Sequence, residues 1–430
     1  MWNWCTGARR AGERDAALRI LLVFPFLPYP PDDGGRIGFF NPIKYLSRKH
    51  EVSVVCLTEG RGQEESIEEL KRFCVEVRTH QRSSWQDPYR LLKGAVLWPP
   101  GSGAKYWHRG MGELIREMVA EQQPEIVEFN HLNTAIYRDF AGSVPTVLRE
   151  HNVEYKVWEQ FANHARGWTE RTYARWSVSR VRRYEANMCA RFDRCVVVSP
   201  SDAAHLRGIA PQARIEVIPS GVDTEYFYPT PDVPEEPLSV TLTGSFEWRP
   251  RQQSLFILLT KVFPKLRAQV PRAKLYVVGK GVPEYLQRVA REVLGVTIVG
   301  PVPDVRPYIA RSSLMINYLE SGGGIALKVL EAMAMRKPVL CNSLGCEGIP
   351  ITHGRDIFVA DGPEGFASAA AYLLENESVR TEIAENGYLV ASEKYSWKNL
   401  ASEFTSCYNK ILEKHEGGRG FVQAGVGKLS

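Results

Sequence analysis

The chain has 430 residues, 44% hydrophobic and 10% aromatic, which is more apolar material than a single core usually organises. A formal charge of +5 over this length is too mild to mark a nucleic-acid-binding protein, and no recognised nucleic-acid module is present. No stretch reaches the roughly 20 apolar residues of a membrane span, and the eight cysteines form no CxxC pair and sit in apolar segments, as free thiols of a reducing, cytoplasmic compartment do.

Residues 1–16 carry Arg9, Arg10 and Arg14 and read as a disordered leader. The apolar run that follows, Ile20 to Leu27, is short, broken by Pro25 and lacks a small-residue cleavage site, so it is taken as a first strand and not as a signal peptide. From there short apolar runs alternate with longer amphipathic stretches, the pattern of a parallel sheet covered by helices. Strands are expected at Arg19 to Phe24, Glu51 to Leu57, Glu125 to Phe129, Thr146 to Arg149 and Arg194 to Val198. Helices are expected at Asn41 to Lys49, Glu65 to Phe73 and Tyr106 to Glu121.

Two features of this half bear on chemistry. Gly34 and Gly35 follow the first strand and precede a helix, which puts them at the carboxyl edge of the sheet, where α/β proteins bind ligands. His151 follows the fourth of the expected strands on the same edge, flanked by Glu150 and Asn152; Glu154 reads as a helix-capping or surface acid. Between Arg166 and Arg194 eight arginines stand against Glu170, Glu185 and Asp193, interleaved with Trp168, Tyr173, Trp176 and Tyr184. Such a segment either packs as an ordinary amphipathic helix or lies on an anionic membrane surface, making the protein peripheral at the inner face.

Prolines 219, 229, 231, 234 and 237 interrupt the pattern, and residues 229–237 are expected to link a first domain, 17–228, to a second, 238–395. In the second, strands are expected at Ser239 to Leu242, Ala273 to Val278, Val296 to Val299, Leu314 to Tyr318 and Pro338 to Cys341. Helices fill Gln252 to Arg267, Glu284 to Leu294, Ile325 to Met335 and Gly365 to Glu375. A last helix over residues 396–415 carries Trp397, Leu400, Phe404, Tyr408 and Leu412 at helical spacing and is expected to pack back on the first domain; residues 416–430 read as a flexible tail.

The segment richest in chemistry is Tyr318 to Met335, where a strand end gives way to Gly322, Gly323 and Gly324 and then to a helix. Glycines let the backbone approach a ligand closely, and the free amides of a first helical turn bind an anion, with a diphosphate the expected guest. Helical spacing puts Gly324, Lys328 and Glu331 on one face, so a cation for phosphate stands one turn from a carboxylate able to hold the two hydroxyls of a ribose. A plain glycine turn before a surface helix would carry the same spacing. No metal site is expected, since no histidine pair has ligand spacing and no two aspartates stand two apart.

The string GGGIALKVLEAMAMRKPVL resembles the donor motif of glycosyltransferase family 4, in the branch that reads roughly GGGxxxKxLEAMAxxxPV. PYPPDDGGRIGFF, REHNVEY, VVSPSDAAHLR, IPSGVDTEYFYP, TGSFEWRP and GPVPDVRPYIARSSLMINY resemble the family's other conserved stretches in the same order, over about residues 18–415. The resemblance implies a GT-B architecture: two Rossmann-like, doubly wound parallel-sheet domains with an interdomain cleft. It implies retaining, metal-independent transfer of a sugar from a nucleotide-diphosphate sugar, which is a donor substrate and not a cofactor, to a glycan, lipid-linked or small-molecule acceptor. By residue, it implies that Gly34 and Gly35 lie over the donor phosphates and the acceptor, with Arg36 a weaker contact, and that His151 hydrogen-bonds the transferred sugar. Lys328, the 322–324 glycines and Arg249 or Arg251 would meet the diphosphate, Glu331 the ribose, and the loop of Val302, Asp304 and Val305 the base. The sequence departs from the pattern twice. Gly323 stands where the broader family has a glutamate, and Arg251 stands where the branch often has asparagine; that guanidinium either helps hold the diphosphate or faces solvent. A nucleotide-sugar epimerase and a non-catalytic partner subunit share this architecture; a dinucleotide oxidoreductase does not fit, as no GxGxxG follows a strand.

Overall fold

The computed structural model describes residues 16–60, 62–82, 106–165, 167–320 and 326–426. The chain forms two compact units, residues 1–218 with 401–430 and residues 219–400.

In the first unit seven strands form a parallel sheet: β1 (Arg19–Phe24), β2 (Glu51–Thr58), β3 (Glu76–Gln81), β4 (Ile126–Asn130), β5 (Thr146–Glu150), β6 (Arg194–Val197) and β7 (Ile215–Val217). Their order is β3-β2-β1-β4-β5-β6-β7, so the winding reverses between β1 and β4. Strands covered on both faces are mostly apolar, and β1 after Arg19, β4 and β5 are buried along their length, with polar residues such as Glu128 and Arg149 buried among the apolar ones. The two strands that the sequence pattern passed over, β3 and β7, are the edges. There EVRTHQ and IEV are only half-buried, and partial burial does not demand an apolar run.

The helix expected from Asn41 starts instead at Gly34. Asp33 caps it, its Oδ1 accepting from the amides of Gly35 (2.9 Å) and Arg36 (3.0 Å), and a capped start tolerates two glycines that otherwise read as loop. The basic segment forms the second arm of a pair of packed helices, Glu154–His164 and Trp168–Arg191. Val153, the residue before the first of these, has no capping side chain. Glu185, from the second arm, supplies the cap, accepting from the amides of Glu154 (2.7 Å) and Tyr155 (3.0 Å).

The second unit holds a six-stranded parallel sheet of β8 (Glu236–Thr243), β9 (Lys274–Val278), β10 (Val296–Gly300), β11 (Ser312–Asn317), β12 (Val339–Cys341) and β13 (Phe358–Val359). The order is β10-β9-β8-β11-β12-β13, with the reversal between β8 and β11. The helix expected over Gln252 to Arg267 runs from Arg249 to Gln269, with a π-helical turn at Leu258–Val262. Pro264, two residues on, withholds an N–H from the helical ladder.

The last helix, Trp397–Val426, extends past the expected end at 415. From Ala401 onward its residues belong to the first unit, where Phe404, Cys407 and Tyr408 are fully buried. The Tyr408 hydroxyl donates to Glu128 Oε2 on β4 at 2.6 Å, and Thr405 Oγ1 lies 2.8 Å from His50 Nε2. Among the described residues no helix is long and apolar enough to cross a membrane.

Candidate functional site

In each sheet the described residues singled out from sequence follow the carboxyl ends of strands, several of them beside the reversal of winding, the place where an open α/β sheet leaves a crevice for ligands. The two units are taken in turn.

In the second unit, Lys328 stands in the first turn of the helix Leu327–Ala334 and its Nζ donates to the carbonyl of Thr243, the last residue of β8, at 2.7 Å. Gly244, at φ +146°, makes that reach possible, because a Cβ there would overlap the ammonium group. Gly279, at φ +142°, makes room in turn, since its Cβ would overlap the Gly244 carbonyl. These two glycines thus stack the ends of β8 and β9 under the lysine, a constraint that the sequence alone does not show. Burial, with the neighbouring Arg251 charge adding to it, brings the Lys328 ammonium down to a pKa of about 7, while Glu331 pulls the other way. Burial likewise lifts Glu331 to about 7, opposed by Lys328.

Arg251 does not face solvent. It is partly buried and its Nη1 donates to Asn317 Oδ1, at the end of β11, at 3.1 Å; burial depresses its pKa. Asn317 is itself fixed by donating from Nδ2 to the Gly345 carbonyl at 2.6 Å. Two cations and one carboxylate therefore converge at the β8/β11 reversal. Arg249, by contrast, is exposed. Gly322, Gly323 and Gly324 lie outside the described residues. The strand end leading to them is pinned by Asn342, which accepts from the Leu319 amide (2.9 Å) and donates to the Leu319 carbonyl (2.6 Å).

The loop of Val302 and Asp304 follows β10 on the same edge. Asp304 accepts from the Arg306 guanidinium through Oδ1 at 3.0 Å and Oδ2 at 2.7 Å, and this pairing lowers its pKa. Arg306 lies 3.8 Å over the Tyr226 ring and donates to the Tyr226 carbonyl at 3.1 Å. Val305 packs its side chain on the apolar cluster around Ile309 and Leu330. With the side chains of Asp304 and Val305 engaged internally, what the loop can offer a ligand is backbone. Arg306 and Tyr226, which shape it, were not picked out from sequence.

In the first unit, Gly34 and Gly35 form the start of their helix, but the amides of Gly35 and Arg36 are taken by Asp33. Arg36 pairs with Asp32 (3.1 Å) and Asp33 (3.0 Å). Nothing lies within 4 Å of a Cβ built on Gly34, so the fold itself does not require glycine there. His151 stands just past β5, edge-on to Phe39 at 4.7 Å. Gly38, another residue not singled out from sequence, lets the helix pass beside it, since a Cβ there would lie 3.3 Å from the imidazole. Burial, then the charges of Arg149 and His131, hold His151 well below the ordinary histidine pKa, so the ring is neutral at pH 7. Its Nε2 is buried with no hydrogen-bond partner among the described residues. Glu150 is also buried, and its carboxyl pKa is pushed well up by burial and by the thiol and acids around it. Asn152 is exposed.

His131, at the end of β4, adds to this edge. Its backbone is at φ +77°, uncommon for a residue with a side chain, and its Nε2 lies 3.2 Å from Glu154 Oε1 while Nδ1 accepts from the Asn133 amide at 3.3 Å. Glu154 is thus the partner of His131. The signal available in the sequence was the polar pair Asn130–His131 directly after an apolar strand.

Two Rossmann-like domains with parallel sheets of seven and six strands, each with its polar residues at the point of reversal, define the GT-B class. Residues 34–226 match the model described as Glycosyltransferase Family 4, and residues 237–376 match that described as Glycosyl transferases group 1. With more than three quarters of its length so matched, the chain is a glycosyltransferase, its first domain of the family 4 kind. It is 22% identical over 400 residues to an uncharacterized 44.6 kDa protein in the cps region of Klebsiella pneumoniae, covering 89% of this chain and 98% of that one. Over 206 residues it is 27% identical to a phosphatidyl-myo-inositol mannosyltransferase of Mycolicibacterium smegmatis, covering 45% of this chain and 51% of that one. Among solved structures, Alr3699/HepE of Anabaena in complex with UDP and glucose is similar with a TM-score of 0.65 at 14% identity, covering 91% of this chain and 100% of that one.

Proposed function

We propose that the chain transfers a sugar from a nucleoside-diphosphate sugar to a glycan or lipid-linked acceptor, with retention of anomeric configuration and without a metal ion. The observation that carries this reading is the convergence of Lys328, Arg251 and Glu331 at the β8/β11 reversal. As the glycosidic bond breaks, negative charge grows on the leaving diphosphate. Two fixed cations in a partly buried setting stabilise that charge more than they would in water. Glu331, one turn further along the helix, is placed to accept from the ribose hydroxyls, and the backbone of 302–305 serves the base. The neutral His151, whose buried Nε2 has no partner among the described residues, suits a hydroxyl of the transferred sugar better than a phosphate. The Anabaena protein's UDP makes uridine the first base to try.

The purified chain, incubated with uridine and guanosine diphosphate sugars and candidate acceptors in the presence of a chelator, is expected to give a glycosylated product whose anomeric configuration matches the donor. Lys328→Ala is expected to lower kcat/KM about 100-fold, the scale on which one electrostatic donor usually acts. Transfer with inversion, or activity that the chelator abolishes, would refute the corresponding part of this reading. Wild-type turnover by the Lys328 variant would refute the site.

A further inference from the structure

The paired helices Glu154–His164 and Trp168–Arg191 cover the first unit with their inner faces, where Ala174, Ser177, Val181 and Glu185 are buried. Their outer faces are unusual for a protein surface. Val157, Phe161, Trp168, Tyr173 and Trp176 are 44%, 45%, 80%, 41% and 46% exposed, five large apolar side chains on two adjacent helices. Four aromatic rings run together across the helix pair, with Phe161 against Trp158 (5.9 Å), Trp158 against Tyr173 (6.2 Å) and Tyr173 against Trp176 (6.2 Å). Arg180 lies 4.3 Å over the Trp176 ring. Arg175, Arg182 and Arg183 are exposed along the same helix.

We propose that this aromatic ladder with its fringe of arginines is a docking surface for an anionic phospholipid bilayer. Tryptophan, tyrosine and phenylalanine prefer the boundary between headgroups and acyl chains, where an apolar ring and a polar edge are both accommodated. Exposed arginines beside them meet the phosphates of anionic lipids. The charge selects this occupant: from Trp168 to Arg191 six arginines stand against Glu170 and Glu185, and Glu185 is buried as a helix cap, so the outward face is cationic. A second copy of the same face would set like charges against each other. A nucleic acid would leave apolar groups such as Val157 without a partner. The surface also bears on the acceptor. The first helix of the pair starts three residues after His151, so a bilayer under the ladder lies close to the edge of the first sheet at which a lipid-linked acceptor would be presented.

The test uses the full chain in flotation assays with vesicles of phosphatidylcholine alone and of phosphatidylcholine with phosphatidylglycerol. Binding is expected only to the anionic vesicles, and it should weaken with added salt. In Phe161→Ser with Trp176→Ser, and separately in Arg175→Glu with Arg183→Glu, partitioning should fall about tenfold or more. All four positions are surface-exposed, so circular dichroism and the melting temperature of both variants should match wild type. Trp248→Ser, an exposed tryptophan of the other unit, should bind as wild type does. Failure of the wild-type chain to float, or flotation of both double variants at the wild-type level, overturns the proposal. So does concentration-dependent dimerisation that the serine variants abolish in the absence of vesicle binding. Transfer to a water-soluble acceptor is expected to survive in the variants, so loss of docking and failure of the transferase reading give different results.

Discussion

At the scale of single residues, the proposed donor site rests on a lysine and a glutamate whose burial brings both pKa values to about 7. A bound diphosphate favours the charged form of Lys328, and above a pH of about 7 the unliganded lysine has already lost part of its proton. Binding there must take up a proton, so affinity falls as pH rises. Below about 7 Glu331 gains its own proton and is no longer a full acceptor for two hydroxyls, so affinity falls on the acid side as well. Donor affinity measured by calorimetry is therefore expected to peak near neutral pH. Lys328→Met should remove the alkaline decline and Glu331→Gln the acid one; a flat profile in the wild-type chain would contradict the assignment. Gly244→Ala is a separate test. Its methyl would displace the ammonium from the Thr243 carbonyl, and donor KM should rise about tenfold. Lys328 and Glu331 were legible in the sequence because helical spacing fixes which side chains share a face. Gly244, Gly279 and Asn317 were not, because their roles depend on which strand ends lie side by side, a property of sheet order that no local pattern carries.

At the scale of elements, the strands found from sequence carry apolar runs, including the half-buried edge strand β10, and those missed are edge strands that are short or poor in apolar residues. Two helices of the first unit begin where a side chain supplies the missing signal, one earlier than expected and one not expected from sequence. Asp33 starts one helix on a pair of glycines, and Glu185 caps another from the neighbouring arm. Sequence proximity reveals the first kind of cap and hides the second. Glu185→Ala leaves two amides at the head of the helix Glu154–His164 without their acceptor. It should cost about 1–2 kcal/mol, read as a lower midpoint in urea unfolding, while Glu185→Gln, which keeps an acceptor oxygen, should cost less. Equal stability of the alanine variant and the wild type would show that this cap does not hold the helix.

On the scale of the whole molecule, the first unit is assembled from two distant parts of the chain. Its sheet comes from residues before 219, and its last helical covering from residues after 400. Phe404, Cys407, Tyr408 and Ile411 are buried there, and burying a large apolar side chain contributes roughly 1.5–3 kcal/mol. A few such residues equal the net stability of a domain. A chain ending at residue 400 is expected to lose the cooperative unfolding of the first unit and to aggregate on expression, whereas Tyr408→Phe, which gives up only the bond to Glu128, should fold with a stability loss of about 1–2 kcal/mol. Soluble, cooperatively folded 1–400 would contradict this assembly. The two-domain plan was legible because both halves repeat the same alternation of buried strands and covering helices. The return of the C-terminal helix was expected from its apolar spacing, and its partner Glu128, a buried acid inside an apolar strand, was not.

The central claim is that the diphosphate of the donor docks at the start of the helix Leu327–Ala334 against Lys328. Titration of uridine and guanosine diphosphates into the wild-type chain and into Lys328→Met tests it without requiring an acceptor. The account predicts that one of the two binds the wild-type chain at a single site and binds the variant at least about tenfold more weakly, with the fold unchanged. Equal affinity of that nucleotide for both chains would place its phosphates elsewhere and contradict the account.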